Sequence, residues 1–170
     1  MQSTVRQSRT LLALANRALA GLSDDHLALE PVAGTKTAGW LVGHLAITGD
    51  FGRRLCGRPP HCPKEWRVLF NPGSTPAHDG ADYPPMRELA SSLLAVYDDL
   101  ANAALDADPA LLAVENPYEP TRAGFPTSGD FVGYLLAGHF AYHLGQLVSW
   151  RAAAGLERLP STTATSSSGG

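Results

Sequence analysis

The chain has 170 residues, 44% of them hydrophobic and 17% charged, enough for one domain with a substantial core and no covalent staples. Thirteen Lys and Arg against 16 Asp and Glu give a formal net charge of −3. The basic residues are scattered, which argues against a face for phosphate backbones and so against a nucleic-acid partner. No apolar run reaches the ~18 residues of a bilayer span. The opening MQSTVRQSRT leads into an amphipathic segment rather than a compact apolar block with a cleavage site. No membrane association, no signal peptide and a cytoplasmic location are therefore expected.

Four long segments carry helical period and nothing reads as a strand. The first runs from about Ser3 to Leu22, with Val5, Leu12, Ala15, Leu19 and Leu22 three or four apart, before Gly21-Leu-Ser-Asp-Asp interrupts it. The second runs from about Thr37 to Cys56, with Trp40, Leu41, His44, Leu45, Thr48, Phe51 and Leu55 on one broad face. Gly57-Arg-Pro-Pro ends it. Residues 58–83 form a long connection, read as a crossover or part of a site. The third helix starts at Pro84-Pro85 and carries Met86, Leu89, Leu93, Val96, Leu100 and Ala104 to a stop at Asp108-Pro109.

A second irregular stretch, 108–126, precedes a fourth helix from Thr127 to about Ala154. Thr127-Ser-Gly-Asp130 is its capping box and Gly155 its left-handed terminator. Residues 1–159 are thus expected to form one all-α four-helix bundle with long interhelical connections, and 160–170 a disordered Ser/Thr/Gly tail. Cys56 and Cys62, the only cysteines, are expected as free thiols.

Three histidines stand where a bundle core takes leucine: His44 in Trp40-Leu-Val-Gly-His44, and the pair His139 and His143. The pair is four residues apart, roughly 40° around a helix, on the stripe through Val132, Leu136, Leu147 and Trp150. His44 occupies the same kind of position on the second helix. Each ring must be satisfied, either singly by a backbone carbonyl or jointly by one metal ion held on three nitrogens with coordination positions left open. His26, His61 and His78 fall in loops and are expected to be solvated. His139-Phe-Ala-Tyr-His143 has Phe where a zincin carries its general-base Glu, and no Glu-x-x-His pair points to a di-iron bundle.

Three segments, Gly21-Leu-Ser-Asp-Asp-His-Leu, Trp40-Leu-Val-Gly-His-Leu-Ala and His139-Phe-Ala-Tyr-His-Leu-Gly-Gln-Leu, together resemble the DinB/YfiT-like superfamily in order and spacing, as does Asn71-Pro-Gly-Ser-Thr-Pro in the long loop. The resemblance covers nearly the whole chain apart from its extreme N-terminus and tail. It implies a four-helix bundle, often a homodimer, with one divalent metal on His44, His139 and His143. Three imidazoles suit Zn or Ni first, with Fe, Mn or Cu also compatible. Relatives include mycothiol-dependent maleylpyruvate isomerase and other thiol-dependent transferases. The resemblance thus implies a small-molecule substrate and a low-molecular-weight thiol cosubstrate activated at the metal. Metal-dependent hydrolysis and a non-catalytic, metal-stabilised bundle are the alternatives.

No acid or base partner is legible. Asp50, six residues past His44 and about 240° around the helix, is expected to face away. Thr48, Tyr142 and Gln146 are candidates for lining the pocket or orienting a ligand ring, with a core hydroxyl and a helix-interface tyrosine as the plainer readings of the first two. Trp40 and Trp150 are read as packing groups. Arg53, Arg54 and Arg151 are either solvated partners of helix C-termini or recognition groups for a thiol's carboxylate.

Overall fold

A computed structural model describes residues 1–74 and 80–157. His78 and the Ser/Thr/Gly tail lie outside the described residues. The long helices are α1 (Gln2–Leu19), α2 (Ala38–Leu55), α4 (Met86–Asp106) and a rod made of α6 (Ser128–Tyr134), a π-helical turn (Leu135–His139) and α7 (Phe140–Ala153). Short helices α3 (Trp66–Phe70) and α5 (Pro109–Ala113) stand in the connections. The all-α expectation is borne out. Among the described residues the one strand-like contact is an isolated bridge between Glu115 and Thr127. No described helix is long and apolar enough to cross a membrane.

Each boundary has a local cause. α1 stops three residues short of its expected end because Ala20 turns extended and Gly21 adopts a φ of 76°, which a side chain would resist. α2 opens on Thr37, whose hydroxyl accepts the Trp40 N–H, and closes at Gly57 with φ 84°. The first N–H of α4 is taken by Asp24, in a 3₁₀ turn 62 residues earlier, at 2.7 Å. The expected capping box forms: Asp130 N donates to Thr127 Oγ1 and Thr127 N to the Asp130 carboxylate, each at 3.1 Å.

Side by side, the rods form a ring in the order α1, α4, α2, α7, so α1 and α2, consecutive in the chain, lie diagonally opposite. The closest pair is α2 and α4. Cβ atoms built at Gly49 and Gly52 would fall 2.7 Å from Val96 and 2.9 Å from Leu100, so these glycines set the approach. Consequently α2 is buried on nearly every face rather than on the one broad face expected. Across the middle, the Tyr97 and Phe140 rings stack at 3.8 Å. The wholly buried leucines 41, 45, 89, 93, 100, 136 and 144 fill the rest, each contributing about 1.5–3 kcal/mol by burial.

Several expectations for the connections need correction. Residues 58–83 contain α3, and 108–126 contain α5 and a 3₁₀ turn (Glu119–Thr121) around Asn116, whose buried amide bonds Thr121 Oγ1 and the Phe125 carbonyl. His26 is not simply solvated: its Nδ1 accepts the Ser23 N–H at 3.0 Å and its ring meets Trp150 edge-on. Arg53 and Arg151 are buried, not solvated. Arg151 Nη1 caps α1 by donating to the carbonyls of Ala18 and Ala20 at 3.0 and 2.8 Å, while Arg53 bridges Asp50 and Asp99. Partners brought up by tertiary contact, the Ala18 and Ala20 carbonyls for Arg151 and Asp99 for Arg53, fixed both outcomes, and neither is visible from helix position alone.

Candidate metal centre

The ring order brings α2 against α7 and the π turn, and this places His44, His139 and His143 together. One nitrogen from each ring lies within 4.8 Å of the other two. His44 Nε2 and His139 Nε2 are 3.2 Å apart. Two ligands at ~2.0–2.1 Å from one ion, subtending 90–110°, would be separated by roughly 2.8–3.4 Å, so the donor set fits a metal. His139 Nδ1 is buried with no hydrogen-bond partner among the described residues.

The far nitrogens of the other two rings are fixed. His44 Nδ1 donates to the Phe70 carbonyl at 2.7 Å, and a carbonyl can only accept, so Nε2 turns its lone pair to the site. His143 Nδ1 donates to the Gln146 amide oxygen at 2.8 Å, one turn along α7, with the same result. The Phe70 carbonyl reaches His44 because α2 has no side chain at Gly43: a Cβ there would lie 2.5 Å from the Phe70 ring. On its other side His44 carries Trp40, stacked at 4.6 Å with planes 8° apart. Trp40 is held by a bond from Nε1 to Ser74 Oγ at 2.7 Å and is covered by Lys36, whose Nζ stands 4.1 Å from the ring centre. Trp40 is therefore a wall of the site as well as a packing group; Trp150 packs, with Nε1 bonded to Leu29 O.

Burial sets the protonation state. Desolvation, against the pull of the Phe70 carbonyl, lowers His44 to about 4; desolvation and the neighbouring rings lower His139 to about 3. His143 is also lowered, by desolvation first. All three rings are neutral near pH 7, the form that ligates metal.

The three rings line one wall of a cleft of about 790 Å³. Thr48 also borders it, but its hydroxyl donates back to the His44 carbonyl at 2.8 Å, the plainer reading. Gln146 orients His143 as described. Tyr142 is a correction: it is 63% exposed, touches His143 only edge-on at 4.9 Å and lies at no helix interface. Asp50 stands apart from the donor cluster but is not turned to solvent. It is buried at the cleft's edge, where its carboxylate accepts from Arg53, His61 N and Cys62 N. His61 is exposed and does not border the cleft. Cys56 and Cys62 are free and buried, and desolvation raises them to about 11 and about 12, so neither is poised as a thiolate.

Fold and site together define an all-helical protein with three converging imidazoles on the wall of a cleft. A model of the DinB superfamily matches residues 7–147, most of the chain, and the chain belongs to that superfamily. No curated protein matches the chain.

Proposed function

We propose that His44, His139 and His143 hold one divalent metal ion and that the protein is a metal-dependent enzyme of the thiol S-transferase type. The carrying observation is that the donor set faces a cleft instead of being sealed by leucine. Structural metal sites are closed, whereas catalytic ones keep a position for substrate. A bound ion supplies Lewis acidity there, bringing a thiol's pKa below its ordinary ~8.5.

The chain's own residues do the rest. Phe70 O and Gln146 fix the tautomers of two rings, and Trp40 excludes water from one side of His44. The cleft accommodates the electrophile: its carbon forms the new C–S bond as its bond to the leaving group breaks, the leaving group departs with the electron pair as an anion, and the thiol proton passes to solvent. Thiol chemistry is favoured over hydrolysis by the lining. Water activation gains from a carboxylate base, and among the described residues bordering the cleft the one carboxylate, Asp50, is already engaged by Arg53 and the backbone N–H groups of His61 and Cys62.

The test is elemental analysis of the protein purified without added metal, followed by adduct formation between bacterial low-molecular-weight thiols and a chromogenic electrophile. About one ion per chain, with turnover lost on chelation and restored on re-addition, is the expected result. Unchanged metal content in His139→Ala, or turnover indifferent to chelation, overturns it.

A further inference from the structure

The cleft is electropositive in a protein whose net charge is −3. Lys36, Arg54 and Arg67 all border it. Among the described residues, Arg54 and Arg67 form no ion pair with a carboxylate; the Arg54 guanidinium carbon stands 6.0 Å from the centre of the Phe51 ring. The contrast with Arg53 is informative. That adjacent arginine is buried in an ion-pair network, shared between Asp99 and Asp50, the one carboxylate bordering the cleft among the described residues. Two adjacent arginines at the end of α2 thus have different employments, one structural and one facing empty volume.

Helical phase gives the cleft a direction. Trp40, His44, Ile47, Phe51 and Arg54 recur at intervals of four and three along α2, and all border the cleft. His44 and Arg54 are ten residues apart, roughly 15 Å along the helix axis. Between them the lining is apolar or aromatic: Ile47 and Phe51 from α2, and Phe131 and Leu135 from the opposite rod. Arg67 enters from α3, the helix whose last carbonyl orients His44. Along α2 the order is therefore imidazole cluster, apolar wall, guanidinium, with the Arg67 guanidinium on the α3 side of the same cleft.

We propose that the cleft selects small molecules carrying an oxyanion, a carboxylate or a phosphate, on an apolar body, with the oxyanion against Arg54 and Arg67 and the reactive end at the histidines. Guanidinium suits either anion, because its fork of donors matches two oxygens at once. This substrate class deepens the thiol-transferase reading and rests on it for the identity of the reactive end.

Titration calorimetry on the full-length, metal-loaded protein tests the two claims separately. The probes are 4-(mercaptomethyl)benzoate, its primary amide, the corresponding phosphonate, and 4-methylbenzoate with its own amide. Wild type is expected to bind each anion roughly 10-fold or more tighter than the matching amide, the scale of a charge-assisted hydrogen bond. Arg54→Gln and Arg67→Gln should each bring that ratio toward one while leaving amide affinity and thermal stability unchanged. A phosphonate tighter than the carboxylate identifies a phosphate-bearing substrate; the reverse order identifies a carboxylate.

Equal binding of acid and amide by wild type, no measurable binding of any anion, or a ratio unmoved in both variants overturns the proposal. The thiol reading fails by a different sign: the mercaptomethyl compound would bind no tighter than its methyl counterpart while the preference for the anion persists.

Discussion

Gln146 touches the candidate ligand set through a single atom. Its amide oxygen holds the His143 Nδ1 proton, and that proton decides which nitrogen faces the site. Gln146→Ala is expected to weaken metal binding about 10–100-fold, the usual consequence of losing an orienting partner, with little effect on folding. Competition against a chromogenic chelator measures it, and Gln146→Glu, which keeps an acceptor, should recover most of the loss. Gln146 is readable in the sequence because it lies one turn from His143 on the same helix. The equivalent partner of His44 is a backbone carbonyl brought from α3, and no side-chain pattern announces a carbonyl. Tyr142 shows the opposite error: adjacency to His143 suggested involvement, but one step along a helix is ~100° of rotation, and that rotation carries the ring into solvent.

Within α2, glycine looks like a liability, since it costs about 1 kcal/mol against alanine in a helix interior. At Gly43 the sign reverses. A methyl group there would meet three Phe70 ring atoms at 2.5–2.6 Å, so α3 would have to move and take with it the carbonyl that orients His44. Gly43→Ala should therefore destabilise the fold by about 1–3 kcal/mol, the cost of overpacking, and lower metal affinity as well. Gly145→Ala on α7, where a Cβ meets nothing within 4 Å, should stabilise by up to about 1 kcal/mol. Urea midpoints of the two variants make the comparison. Helix existence and capping at Thr37 and Thr127 followed from local chemistry and were legible. The packing value of Gly43 depends on a neighbour 27 residues away and was not. Nor was the π turn: Val132, Leu136, His139, His143, Leu147 and Trp150 keep three-four spacing straight through it.

The whole molecule buries three imidazoles that are charged in the unfolded chain under mild acid. His44 and His139 are lowered from 6.5 to about 4 and about 3. Between those values and 6.5 the unfolded chain binds protons that the metal-free folded state refuses, so stability is full above pH 6.5 and falls as the pH drops toward 4. Each group contributes about 1.4 kcal/mol per pH unit across its window, an order-of-magnitude figure. Denaturation of chelator-treated protein at pH 7.5, 6 and 5 should show the decline. A flat profile would mean that the rings are not desolvated as described. At this scale, four long periodic segments made an all-helical fold readable from the sequence. Which rods become neighbours was not, because the diagonal placement of α1 and α2 is decided by packing across connections that carry no periodicity.

The π turn at Leu135–His139 sets the register between the two halves of the rod. Such a turn holds one residue more than the α-helix on either side, so it behaves as a single-codon insertion absorbed in place. Deleting Ala137 would let the turn relax into ordinary helix while α6 and α7 keep their faces toward the core. The direction of the side chains within the turn, His139 among them, would carry the change. The phase of that one turn, rather than the core packing on either side of it, therefore sets where His139 points.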